Sequence, residues 1–179
     1  IKAVNGNEGF NRTLENWPDM IISDVMMPNT TGLELCKKIK TDIRTNHIPV
    51  ILLTAMSSEE NIIDGVGLGA DLYIPKPFNI KLLLVQISTL FNNIEKRHRR
   101  YRDNILSPSN EIKEEQKENL FVERAKHVIM EHISDSSFTV ADLSREMAMH
   151  RTNLHHKLTS LTGMAPSEFI RNVKLREAL

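Results

Sequence analysis

Cysteine is nearly missing from this chain: Cys36 stands alone. One thiol cannot close an internal disulfide, so the fold must hold without covalent staples, and the usage suits a reducing compartment. No apolar run approaches the roughly 18 residues that a bilayer span needs. The chain does not open on a basic stretch followed by an apolar one, so no secretory leader is read at its start. Net charge is missing too, since 23 Lys and Arg balance 23 Asp and Glu. What is present suffices for packed cores: 179 residues, 40% of them hydrophobic, make one domain or two small ones. The balanced charge hides a bias. Between His150 and Arg176 five basic residues (Arg151, Lys157, Arg171, Lys174, Arg176) face one acid, Glu168. Such a mild basic patch is compatible with nucleic acid.

The first ninety residues alternate short apolar runs with helical patterns. Strands are predicted at 1–4, 20–23, 50–54 and 72–74, and helices at 7–16, 33–40 and 58–66. Leu83, Ile87, Leu90, Phe91 and Ile94 follow helical spacing on one face. Strands alternating with helices imply a parallel sheet covered on both faces, an α/β fold. Residues 96–102 are then strongly basic and 104–118 polar, so 96–116 read as a helical extension and linker. Strand signals do not return. Phe121, Ala125, Val128, Ile129 and Ile133 form one helical stripe. Thr139 and Asp142 have the spacing of a capping box that opens a helix through Met147. A tight connection at 148–150 leads to a helix over 151–161 that stops near Gly163, and Pro166 suits the start of another. Two short helices across a three-residue turn, behind a supporting helix, are the pattern of a helix-turn-helix.

Asp24 ends the apolar run IISD, Thr54 ends ILLT, and Lys76 follows LYIP. In a doubly wound parallel sheet, ligands bind beyond the carboxyl ends of the strands. Three strands would then bring a carboxylate, a hydroxyl and an ammonium to one rim, a set that permits phosphoryl transfer to the carboxylate. Asp24 is the candidate nucleophile, Lys76 neutralises phosphoryl oxygens, and Thr54 donates a hydrogen bond to one of them. Each could also simply end its strand.

The set IISDVMMP, ILLTA and GADLYIPKPF, with Gly32 eight residues after Asp24, resembles a response-regulator receiver domain over residues 1–95. The resemblance implies a flavodoxin-like sheet and a histidine kinase as phosphodonor. It implies Mg²⁺ as cofactor, bound by Asp24 and the Met26 backbone carbonyl, and Tyr73 as an aromatic switch. Receiver domains also carry two adjacent acids at the end of their first strand for the metal. No such pair precedes Asp24, so the chain is expected to begin at the second strand. Phosphorylation is accordingly expected in the parent protein rather than in this segment. The absent strand would lie between residues 1–4 and 20–23, which predicts strand displacement or pairing with a second copy as a homodimer.

Residues 117–179 resemble the first helix-turn-helix and the start of the joining helix of an AraC-type DNA-binding domain. The features are Leu154, Lys157 and Leu158, then LTG at 161–163, PSEFI at 166–170, and Lys174 with Leu175. The resemblance implies promoter DNA as partner. Helical spacing makes Leu154, Leu158 and Leu161 core, and turns Thr152, His155 and His156 toward bases, with Asn153 beside them. Arg151 and Lys157 are expected to meet phosphates. Adjacent histidines diverge by about 100° on a helix, which disfavours chelation of one ion by both.

The module order resembles the tail of hybrid two-component regulators, with a cytoplasmic location for this portion whether or not the parent is anchored in the inner membrane. The alternatives are a stand-alone regulator with a separate kinase, and a receiver-like scaffold that is never phosphorylated and dimerises a DNA-binding module. No small-molecule substrate is expected. A haloacid-dehalogenase-type phosphatase also uses a strand-end Asp, but it requires Asp-x-Asp. Here Met26 takes the second position, so no enzyme activity is expected in this segment.

Overall fold

VILLT at 50–54 is apolar at every position but the last, as a strand covered on both faces requires. In the computed structural model, which describes residues 1–55, 69–106 and 116–177, it is the middle strand of a parallel sheet. The elements in order are α1 (Gly6–Asn16), β1 (Ile21–Asp24), α2 (Gly32–Thr41), β2 (Val50–Thr54) and β3 (Leu72–Pro75). α3 (Ile80–Leu106) follows, then α4 (Gln116–Glu131), α5 (Val140–Glu146), α6 (Arg151–Thr162) and α7 (Pro166–Glu177). The chain divides into two compact units, Ile1–Ser88 and Thr89–Leu179. Among the described residues no helix is long and apolar enough to cross a membrane.

The first unit is an α/β layer structure. β2 pairs with β1 from Ile21↔Val50 to Asp24↔Leu53, and with β3 from Ile51↔Leu72 to Thr54↔Pro75. Val50, Leu52 and Ile39 are fully buried, and they form the core with Leu35 and Cys36 of α2. α2 opens on a complete capping box: Thr31 accepts from the Glu34 N–H, and Glu34 returns to the Thr31 backbone. β2 is fixed at its start by Asp71, whose carboxylate accepts the Val50 N–H (2.7 Å) and meets Lys40 Nζ (2.7 Å). Asp71→Ala should therefore cost about 1–3 kcal/mol, because it strands a sheet N–H and removes the counterion of Lys40, whose Nζ keeps its hydrogen bond to the Ile48 carbonyl (3.1 Å). A urea titration followed by circular dichroism measures this.

Two expectations are corrected. Residues 1–4 form no strand; Ile1 and Val4 are exposed, and the Val4 N–H donates to Glu8 Oε2 (2.9 Å) instead. Among the described residues nothing pairs with the outer edge of β1, and a groove of about 410 Å³ lies between residues 1–5 and 20–24. An apolar tetrapeptide without a neighbouring strand has no ladder to join. Ile133 is the second correction: it lies past the end of α4 and is partly exposed, so the stripe ends at Ile129. The helix predicted at 58–66 lies outside the described residues.

In the second unit, α4 through α7 pack around Ile129, Leu143, Leu154, Leu158 and Phe169, all fully buried. The Thr139–Asp142 capping box is present in both directions, and Met147 caps α5. α6 stops at Gly163 in the left-handed conformation (φ 71°), and Pro166 begins α7. The run read as extension and linker continues α3 to Leu106. Tyr101 is buried in the core of the second unit.

Candidate functional site

The register brings Asp24 opposite Leu53, and Leu53 opposite Ile74. Thr54 and Pro75 form the next row, and the Lys76 N–H donates to the Thr54 carbonyl (2.6 Å). Residues thirty and fifty-two positions apart, read from the sequence, thus arrive at the carboxyl ends of three parallel strands. Lys76 Nζ donates to Asp24 Oδ2, an ion pair in which both side chains are 36% exposed. The other carboxylate oxygen, Oδ1, accepts the Met26 N–H at 3.1 Å. Lys76 is the main cause that holds the Asp24 carboxyl below its ordinary range, with the Met26 N–H adding to it against a burial cost. Thr54 is buried, and Tyr73 is half-buried against the core. A cis peptide joins Lys76 to Pro77.

Gly32 supports this rim. Its N–H donates to the Val25 carbonyl (3.0 Å), and Ser23 Oγ donates to the Asp24 carbonyl (3.0 Å). The close approach leaves no room for a side chain at Gly32. The sequence marks the glycine but gives no sign of the contact.

Mg²⁺ takes near-octahedral oxygen coordination from one or two carboxylates, phosphate and water. The donors expected here are the Asp24 carboxylate and the Met26 carbonyl, and Asp24 is already paired with Lys76. Among the described residues no group of three or more His, Cys, Asp or Glu could hold a metal. The described residues alone do not fit a Mg²⁺ site.

α6 gives a second set of candidates. Arg151, Thr152 and His155 are exposed, and Asn153 and His156 are partly so. The two histidine rings meet edge to face with centroids 5.8 Å apart. Burial first, then the charge of His155, pushes the His156 imidazole below its ordinary range, so its protonation requires more acid. Lys157 departs from expectation. It is 2% exposed, with Nζ lying 4.6 Å from the centroid of the Phe121 ring. Position 157 falls on the same face as Leu154 and Leu161, so its stem packs in the core and its charge rests on an aromatic face. His150, missed in the sequence, caps α6 by accepting the Thr152 N–H (3.4 Å).

Comparison with known proteins places this geometry. Residues 2–88 match the model of the response regulator receiver domain. Histidine kinase P4 of Formosa agariphila is 35% identical over 178 residues, 99% of this chain and 13% of that protein. The phosphate regulon transcriptional regulatory protein PhoB of Escherichia coli is 37% identical over 94 residues, 52% of this chain and 41% of that protein. The chain therefore spans under half the length of these curated relatives. A solved receiver domain of a signal transduction histidine kinase from Syntrophus aciditrophicus is 36% identical, with a TM-score of 0.47 over 50% of this chain and 67% of that one. The family match covers the whole α/β unit, rim included, and on it residues 2–88 are a response regulator receiver domain.

Proposed function

We propose that this chain belongs to a phosphorylation-controlled transcription regulator. Asp24 accepts a phosphoryl group from a histidine kinase, and α5 and α6 act as an AraC-type helix-turn-helix on promoter DNA. The observation that carries the reading is the Asp24–Lys76 pair at the carboxyl rim of the sheet. An Asp24 carboxylate oxygen attacks phosphorus, the P–N bond of the phosphohistidine breaks, and the imidazole leaves with the electron pair. The product is an acyl phosphate. Lys76 then moves its hydrogen bond from a carboxylate to a phosphoryl oxygen, and Thr54 donates to another. Tyr73, half-buried on β3, is the aromatic switch of this reading.

Two further facts support the transcriptional part. The match to a protein named a histidine kinase runs through both units, not the receiver alone, and that protein is far longer than this chain. This favours a hybrid regulator in which kinase, receiver and DNA-binding module share a polypeptide. Arg151, Thr152, Asn153, His155 and His156 lie on or beside the outward face of α6, in position for base and phosphate contact.

Lys76→Ala tests the switch. The full-length protein should still form acyl phosphate, because the nucleophile remains, but the transcriptional response to stimulus should fall to the unstimulated level. A reporter fused to the target promoter reads this, and an undiminished response would remove Lys76 from the mechanism.

A further inference from the structure

The charge run at the end of α3 has no part in the receiver rim. From Glu95 to Arg102 five Lys and Arg accompany one acid. This half of α3 lies in the second unit and is tied there by one face. His98 Nε2 is 2.5 Å from the Ser160 carbonyl, in the last turns of α6. The His98 ring also sits against Gly163, where an added Cβ would approach it to 3.1 Å. Tyr101 enters the apolar core.

Lys96, Arg99 and Arg100 stand at i, i+3 and i+4, so they share one helix face. At about 100° per residue that face points away from His98 and Tyr101. All three side chains are exposed. The acid beside them, Glu95, reaches Arg99 only at 3.8 Å, with both side chains 69% exposed. A pair so solvated leaves the guanidinium available to another anion.

We propose that Lys96, Arg99 and Arg100 form an auxiliary surface for the phosphate backbone of duplex DNA, beside the C-terminal end of α6. The inference rests on the reading of α6 as the DNA-binding helix. Ser160 lies nine residues beyond Arg151, about 14 Å along the helix, comparable with the ~12 Å width of the major groove. A basic face anchored at that end is set to meet phosphates bordering the groove, not base edges. It would add affinity without sequence preference. A membrane surface fits less well. Interfacial helices bury an apolar face beside the basic one, and from Glu95 to Arg102 the aromatic residue, Tyr101, is already in the core.

The experiment compares the full chain with the Lys96→Gln/Arg99→Gln/Arg100→Gln variant on a mixed-sequence duplex between about 50 and 200 mM salt. The variant should bind at least tenfold more weakly at the low-salt end. Its plot of log affinity against log salt should be shallower by about 0.9 per lost phosphate contact, up to about 2.7. Its thermal midpoint should be unchanged, since the altered side chains are exposed. Arg151→Ala, made separately, reports on α6. If Arg151→Ala weakens binding and the triple variant does not, the proposal fails and the reading of α6 stands. If the unaltered chain binds no duplex, both fail. Loss of binding to phosphatidylserine vesicles by the triple variant, with DNA binding intact, would assign the surface to membrane and overturn the proposal.

Discussion

Asp24→Asn should abolish acyl-phosphate formation on the full-length protein while its fold survives. Asn keeps the volume and one oxygen acceptor for the Met26 N–H, but it has no anionic oxygen to attack phosphorus. The native carboxyl is held ionised, first by Lys76 and then by the Met26 N–H, so at neutral pH it is a competent nucleophile without prior deprotonation. Because the folded pKa lies below the unfolded value, the pair's contribution to stability is present above the usual Asp range, about pH 3.9, and is lost as pH falls through the folded pKa. That contribution is small. Both partners are 36% exposed, and such pairs are worth roughly 0–1 kcal/mol. The variant should therefore melt within a few degrees of the native protein while its labelling by kinase or acetyl phosphate drops to background. Hydroxylamine-sensitive label persisting in the variant would mean that a different carboxylate takes the phosphoryl group.

The rim was legible in the sequence because strand ends are local features. IISD, ILLT and LYIP each mark where a strand stops, and parallel topology places three such stops side by side. The helices of the second unit were legible for a similar reason: Thr139, Gly163 and Pro166 each act within one turn of chain. What stayed hidden depends on partners distant in sequence. The charge of Lys157 suggested solvent, and the arrival of Phe121 from α4 helps to make a buried ammonium tolerable there. Residues 1–4 have strand composition, yet a strand exists only as one side of a ladder. The basic run reads as a helical extension and linker, but its composition does not show that the helix reaches Leu106. Lys and Arg are good helix formers, and contacts of His98 and Tyr101 with the second unit add to that preference.

Gly32→Ala should be the most damaging single-methyl change at the rim. An added Cβ would stand 2.1 Å from the Asp24 carbonyl oxygen and 2.9 Å from its carbon, both backbone atoms that cannot swing aside. Gly32 is needed for this close approach and not for an unusual backbone angle, since its φ is not positive. To admit the methyl group, the start of α2 must withdraw from the end of β1. That movement breaks the Gly32–Val25 hydrogen bond and disturbs the Ser23 bond to Asp24. Overpacking and the strained bonds together should cost about 2–4 kcal/mol. For a unit of this size the melting midpoint should fall by about 10–20 °C. Gly9→Ala is the comparison: its Cβ would meet side-chain carbons alone, the two methyls of the flexible Leu35 at 3.2 and 3.6 Å and the Ala3 Cβ at 3.8 Å, and a helix interior favours Ala over Gly. Calorimetry should separate the two variants clearly. Below its lowered midpoint, Gly32→Ala should also phosphorylate more slowly than native protein, because the shifted strand end carries Asp24 out of line with Lys76. Native stability in Gly32→Ala would mean that α2 and β1 can part at this point without cost, and that Asp24 is positioned by Lys76 alone.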